Sequence, residues 1–372
     1  MIRSIVPAPI ANQPWPVILP LTLLVGFGAA VLYSAAGGSM SPFAWSHLLR
    51  FAVFLTMALV ISYLPRELVR WAAYPAYLGT LVLLVLVEAI GAMGGGSQRW
   101  LELGPVNLQP SELMKPAIVL VLASFYHSLP AGETGGLRAI LFPAALIAVP
   151  AGLVLLQPDL GTALAIMFGG VVMMFLAGLP MKWFVGGAGA ALVVAPLAFF
   201  FGLKDYQQRR VTTFLDPESD PLGAGYHITQ SKIAIGSGGL TGKGFGNGSQ
   251  SHLDYLPEPH TDFVFATMAE EWGLIGGLLV LLVFGIVLRW GLGVARRARD
   301  RFSALLAGGM TATIFFYAAI NLMMVMGLAP VVGIPLPFMS HGGSSMMTNM
   351  ICVGTLMMID RWNRQGGRTG VL

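Results

Sequence analysis

The 372-residue chain is short of charge: Asp, Glu, Lys and Arg together make up 10% of it, against about 25% in an ordinary soluble domain. So few charges cannot cover a water-facing surface, which excludes most soluble folds. Cysteine is scarcer still. The single Cys352, inside an apolar run, excludes a disulfide scaffold and any paired-cysteine metal or redox centre. No contiguous basic block or basic helix with interleaved aromatics is present, so the net charge of +4 does not describe a nucleic-acid surface. Familiar catalytic signatures are missing too. There is no Gly-x-Ser-x-Gly elbow. The run Gly236–Gly244 resembles a phosphate loop, but its spacing is wrong and Gly244 stands where Ser or Thr is needed. His252 and His260 lack metal-ligand spacing. The first residues, with Arg3 as their only charge, show no leader pattern.

Hydrocarbon fills the space that charge leaves. With 56% hydrophobic residues and a mean hydropathy of +0.75, the chain reads as an integral membrane protein. A hydrocarbon core of about 30 Å takes about 20 apolar helical residues. Ten segments meet that need: 17–35, 48–64, 72–90, 111–129, 138–156, 160–179, 183–202, 264–289, 304–327 and 344–360. The expected fold is an all-α polytopic membrane protein with ten transmembrane helices in a single domain over 1–372. Trp15, Trp45, Trp71, Trp183, Trp290 and Trp362 fall at segment ends, where indole rings favour the headgroup layer.

Basic residues gather on one side of that topology, at Arg66, Arg70, Arg138, Lys182, Arg289, the cluster Arg296 to Arg301, Arg361 and Arg364, with Arg3 and Arg368 at the chain ends. Few acids accompany them. The positive-inside rule then places both termini in the cytoplasm. One long extracytoplasmic loop, 203–263, joins helices 7 and 8. Its turn signals over Asp216–Tyr226 and a short interfacial helix over 227–239, ended by glycines, predict an ordered segment.

Polar motifs open four of the outward-starting segments. NLQPSELMK (Asn107–Lys115), QPDLGT (Gln157–Thr162), PEPHTDF (Pro257–Phe263) and PLPFMSHGGSS (Pro335–Ser345) each combine Pro with Ser, Asp or Gly. Such starts first suggest helix capping, with anion binding at the positive end of the helix dipole as the other reading. Ionisable groups deeper in a span cost roughly 2.5 to 3.5 kcal/mol each. Glu112 and Lys115, one turn apart, can neutralise each other. Glu88 is expected to pair with Arg50 or Lys115, and of the adjacent Glu270 and Glu271 at least one should face a polar cavity. Asp262, at the water-accessible mouth of a span, is the acid best placed for chemistry; N-capping is its other reading.

These motifs are familiar as a set. DPESDPLGAGYHITQSKIAIGSGGLTGKGFGNGSQ followed by YLPEPHTDFVFATMAEEWGLIG, with QPSELMK, QPDLGT and PLPFMSHGGSS in their order, closely resembles the SEDS family (shape, elongation, division and sporulation) over essentially the whole chain. The wording QSKIAIGSGG and SQSHLDYLPE is similar to the elongation members more than to the division members. His341 departs from the family pattern, which has Tyr there. The resemblance implies a peptidoglycan glycosyltransferase that polymerises lipid II at the outer face of the bacterial cytoplasmic (inner) membrane during elongation. It makes Asp262 the essential aspartate, and the residues suit it as general base, with Glu270 or Glu271 as weaker candidates. Glu112 and Lys115 match a further functional pair. Gln109, Ser111, Asp159, Arg209, Arg210, Lys243, His260, Glu270 and Ser340 complete the supporting set, its cations and Lys115 being candidates to steady the pyrophosphate. The one cofactor considered is a divalent cation, Mg or Mn. Implied partners are a class B penicillin-binding protein, lipid II, undecaprenyl-pyrophosphate-linked glycan and other elongation-complex membrane proteins. Three alternatives stand beside this reading: a lipid II flippase or transporter, a division-specific member of the same family, and a scaffold that activates a partner enzyme.

Overall fold

The computed structural model describes residues 13–94, 97–103, 106–130, 132–202, 205–216, 223–253, 255–256 and 258–365. Helices occupy all ten apolar segments. The first seven are α1 (Trp15–Ala35), α2 (Phe43–Ile61), α3 (Arg66–Ile90), α4 (Pro110–Ser128), α5 (Arg138–Leu156), α6 (Leu160–Leu176) and α7 (Met181–Phe201). After α7 come α8 (Asp205–Leu215), α9 (Ala224–Ser237) and the single turn α10 (Ser249–His252). The last three apolar segments form α11 (Val264–Arg296), α12 (Arg301–Val325) and α13 (Gly343–Gln365).

Six of these, α1, α2, α3, α5, α11 and α12, are long and apolar enough to cross a membrane, while α6 and part of α7 are shorter apolar helices. Missing from that set are α4 and α13, whose polar residues lie inside the bundle. Glu112 and Lys115 on α4, and Thr348 and Asn349 on α13, are buried. Around this polar interior, the outer helices keep large apolar side chains exposed, such as Leu23, Leu78, Val82, Leu192 and Leu282. An exposed apolar surface of that extent suits lipid rather than water.

One element departs from the all-α expectation. The α3–α4 connection contains an antiparallel sheet of β1 (Ala92–Gly94), β2 (Ser97–Leu103) and β3 (Val106–Leu108), in the order β1-β2-β3 with Leu101 opposite Leu108. β1 and β3 have three residues each, and the seven of β2 break a two-residue alternation by setting Trp100 beside Leu101, so no strand pattern stands out in the sequence.

The segment between α7 and α11 is built from helices and a docked glycine-rich run. The expected interfacial helix appears as α9, starting three residues earlier; within the Asp216–Tyr226 turn signals, 217–222 lie outside the described residues. The glycine-rich run then lies along a break in α11 at Gly273 (φ 62, ψ −157). There Lys243 N–H donates to the Glu270 carbonyl and Gly244 N–H to that of Glu271, each at 3.0 Å, while Leu274 N–H donates to the Gly239 carbonyl at 2.9 Å. These bonds replace helical ones lost at the break, as buried backbone groups require. Gly242 makes the approach feasible: its φ is +81°, and a Cβ on it would lie 2.0 Å from the Glu271 carbonyl oxygen.

Polar contacts sort the helix ends into two sets. Arg66 pairs with Asp300 at 2.6 Å, Arg301 donates to the Ala177 carbonyl at 3.0 Å, and Arg361 and Trp362 both donate to that of Leu64 at 3.2 Å. The arginine-rich connections and the end of α13 therefore share one end of the bundle. At the other end, Arg99 donates to the Gln157 carbonyl at 3.2 Å, and His341 N–H to that of His260 at 2.9 Å.

Candidate active site

Asp262 immediately precedes the capping position of α11, which falls to Phe263, and no side chain caps that helix. The capping alternative for Asp262 therefore does not describe the structure. Its backbone is clamped instead. The buried Asn321 of α12 donates its Nδ2 to the Asp262 carbonyl at 2.9 Å and to the Ile334 carbonyl at 2.8 Å, tying the mouth of α11 to the α12–α13 connection. Gly333 in that connection has φ +67°, and a Cβ on it would stand 3.5 Å from Asp262 Oδ2. Burial, aided by the negative charge of Glu258, pushes the Asp262 carboxyl up from 3.8 to about 6. Desolvation disfavours the ionised form, and a like charge adds to that.

Glu258 sits in a left-handed turn at φ 47°. Its carbonyl accepts from Thr261 N–H at 3.1 Å, and its carboxylate lies 3.4 Å from His260 Nε2. The His260 ring stacks on Phe43 of α2 at 4.0 Å between centroids. Beside it, His341 Nε2 lies 3.0 Å from Arg50 Nη1 and 2.8 Å from Ser46 Oγ, both on α2. A guanidinium can only donate, so Nε2 accepts and the imidazole is neutral. In keeping with that, burial first and the Arg50 charge second hold His341 down at about 4. Burial also lowers His260, against the opposing pull of Glu258.

The residues gathered at this mouth are thus Asp262, Glu258, His260, His341, Asn321 and Arg50. Sequence reasoning picked out Asp262, His260 and the irregular His341. It missed Asn321, whose role is to bridge two carbonyls distant in sequence, and considered Arg50 only as a partner for Glu88. The available signal was a lone arginine in an otherwise apolar α2, next to Ser46 and His47. Glu88 itself is exposed, and Arg50 and Lys115 turn to other partners.

Glu112 and Lys115 form a separate, buried cluster between α4, α12 and α13. Lys115 Nζ lies 2.5 Å from Glu112 Oε1 and 2.7 Å from Tyr317 OH, and sits 4.3 Å from the centre of the Tyr317 ring. The Tyr317 hydroxyl in turn donates to Glu112, and Thr348 Oγ1 donates to the Glu112 carbonyl at 3.2 Å. Ser111 is buried alongside. Gln109 and Asp159 meet at 3.2 Å, and Asp159 caps α6 by accepting from Thr162 N–H at 3.1 Å. Here the capping reading holds. Lys243 lies 2.6 Å from Glu270, which also accepts from Ser249 Oγ and Gln250 N–H at 3.1 Å. Glu271 accepts from Ser34 of α1. These acids hold the glycine-rich run and α1 in place, Glu270 through Lys243, Ser249 and Gln250 and Glu271 through Ser34, while Glu271 Oε2 is buried with no hydrogen-bond partner among the described residues. Ser340 Oγ accepts from Leu336 N–H at 2.9 Å, closing a turn. Arg209 and Arg210 lie on α8, with side chains outside the described set.

The model of the family described as cell cycle protein, FTSW_RODA_SPOVE, matches residues 15–365. Peptidoglycan glycosyltransferase MrdB of Escherichia coli (strain K12) is 43% identical over 353 residues, covering 93% of each chain. Among solved structures, a chain described under the structural coordination of polymerization and crosslinking by a peptidoglycan synthase complex superposes with a TM-score of 0.83 at 31% identity, covering 95% of this chain and 99% of its own. The crystal structure of the rod shape determining protein RodA of Thermus thermophilus gives a TM-score of 0.71 at 29% identity, covering 94% of this chain and 97% of its own.

Proposed function

We propose that this chain, which belongs to the FTSW_RODA_SPOVE family of cell cycle proteins, polymerises lipid II at the outer face of the bacterial inner membrane with Asp262 as general base. It is a multi-pass membrane protein and a peptidoglycan glycosyltransferase, and its full-length likeness to MrdB and RodA favours the elongation reading over the division-specific one. The ten helices are read as ten spans of one domain. The arginine-rich end faces the cytoplasm by the positive-inside rule, and the Asp262 end faces outward.

The observation that carries the mechanism is the carboxyl of Asp262, unpartnered among the described residues and raised to about 6. A base with that affinity is ionised at neutral pH yet still holds a proton well, the balance general base catalysis needs. Asp262 takes the proton from the 4-hydroxyl of the acceptor sugar. The oxygen attacks the anomeric carbon of the donor, the bond to the lipid pyrophosphate breaks with inversion, and the pyrophosphate leaves with the electron pair. Pyrophosphate is a good leaving group and needs no acid. Arg50, held by His341 at the same mouth, is the described cation placed to meet its negative charge. Lys115 is enclosed by Glu112 and Tyr317, and Lys243 faces Glu270, so their roles are read as support of the fold around the site.

A divalent cation, Mg or Mn, enters this reading as a companion of the pyrophosphate. Among the described residues no three His, Cys, Asp or Glu side chains converge to cage a metal, and Mg is commonly held by one or two carboxylates together with substrate phosphates. With Asp262 engaged as the base, Glu258 is the other carboxylate at the mouth and the one that would meet the ion. When bound there, the ion would neutralise charge on the leaving group. The proposed partner is a class B penicillin-binding protein, supported by the likeness to a chain of a peptidoglycan synthase complex. Polymerisation of lipid II by purified Asp262→Asn protein tests the assignment. Loss of glycan product with the fold intact is expected; full activity would remove the aspartate from the mechanism.

A further inference from the structure

At the arginine-rich end, away from Asp262, a cleft of about 780 Å³ opens between the start of α1 and the last turns of α11. Pro16 and Val17 form one wall, Ile286 and Trp290 the other, and arginines stand at its rim. A second recess of about 400 Å³ continues it towards Asp360 and Arg364 of α13. Arg289 and Arg296 are two helical turns apart, so they share a face of α11 about 10 Å apart along its axis. Gly293 lies between them and leaves a notch. A Cβ on Gly293 would meet Arg297 Nη1 at 3.5 Å, so that guanidinium already reaches over the notch.

Charge here is not balanced from within. Asp360 takes both Arg297, at 3.6 Å, and Arg364. That leaves Arg289 and Arg296 without an acidic partner among the described residues, both exposed at the cleft. The site therefore joins unpaired guanidinium groups to an apolar, Trp-bearing wall at a helix end.

We propose that this cleft binds an anionic phospholipid, with its phosphate between Arg289 and Arg296 over Gly293 and an acyl chain along Ile286, Trp290 and Leu292. Arginine forks suit phosphate oxygens, and basic clusters at span ends select anionic headgroups. A free phosphate leaves the apolar wall unused. A zwitterionic lipid brings its own cation towards the arginines. The site shares no residue with the Asp262 mouth, so the proposal goes beyond the polymerase reading and its test needs no enzymatic assay.

The full chain, purified in detergent, is titrated with phosphatidylglycerol or phosphatidylcholine of matched acyl chains, and bound lipid is counted by native mass spectrometry. Wild-type protein is expected to retain phosphatidylglycerol preferentially. Arg289→Gln and Arg296→Gln should each weaken it about fivefold, the contribution of one basic residue near an anionic headgroup, with phosphatidylcholine unaffected. Gly293→Leu, which favours the helix while filling the notch, should lose the preference. Arg299→Gln, at the same end but outside the cleft, should leave it unchanged. Equal retention of the two lipids by wild type would overturn the proposal without recourse to any variant. So would an equal effect of Arg299→Gln, which would mean diffuse charge, or displacement by glycerol phosphate at matched concentration, which would mean a site for free phosphate.

Discussion

Two carboxylates in this protein invite the same reading and live in opposite surroundings. Glu112 lies inside the bundle, where Lys115 and Tyr317 meet its carboxylate and Thr348 its carbonyl. Asp262 lies at a mouth, with its backbone clamped by Asn321 and its carboxylate left without a hydrogen-bond donor among the described residues. One acid has its ionised form neutralised by a partner at contact distance. The other is desolvated, sits near Glu258, and keeps a proton to about pH 6. Environment, more than residue type, separates the paired acid from the unpaired one.

Asp262→Asn strains that contrast most. Polymerisation should fall by about 10²- to 10⁴-fold, the usual share of a general base, while detergent-solubilised protein remains folded in a thermal melt. Removing one member of the interior pair should act on the other side of the comparison. Lys115→Met leaves Glu112 buried without its cation, at a cost of about 3 to 5 kcal/mol, read as a lowered midpoint of thermal unfolding. The double variant Glu112→Leu/Lys115→Met should recover much of that stability. If the double variant is as unstable as the single one, the pair is not the cause.

The pH dependence sharpens the contrast further. Catalysis by ionised Asp262 should rise with pH through about 6. Stability runs the other way. The folded carboxyl binds its proton more tightly than the ordinary value of 3.8, so the folded state loses stability as pH rises from that value through about 6. Asp262→Asn should therefore flatten both profiles and unfold at a higher temperature than the parent at pH 7. A parent rate independent of pH between 5 and 7.5 would separate the raised carboxyl from the chemistry. The smallest effect belongs to Asp159, whose bond to Thr162 N–H is a cap. Asp159→Ala should cost about 1 kcal/mol, seen as a small drop in melting temperature with activity largely kept.

Much of the framework was legible from residue order. The apolar segments became helices, most with ends within three residues of those expected, while α2 and α3 start five and six residues earlier and α11 and α13 run seven and five residues further; the arginine-rich connections do share one end. Differences arise where a side chain or a break extends a helix. Thus α11 runs on to Arg296, past the apolar stretch, because long arginine side chains can carry their charge outward from a helix end. It is broken at Gly273, where the glycine-rich run supplies substitute hydrogen bonds. Nothing local announces that docking. The site was half legible: Asp262 and His260 stand in a motif, whereas Arg50 and Asn321 are single polar residues within apolar helices, on α2 and α12.

Hydropathy, charge placement and motif order by themselves determined the class of protein, its helical segments and the grouping of their ends, and singled out Asp262 as a candidate. These properties depend on the sequence of each segment and on how each meets lipid or water. Which acid is paired and which is left unpaired was decided only by tertiary structure. Tyr317 reaches Glu112 from 205 residues away, and Asn321 reaches Asp262 from 59. A carboxyl group's proton affinity follows from the groups within a few ångströms of it and from the solvent they exclude, and helix packing brings those groups together from distant parts of the chain.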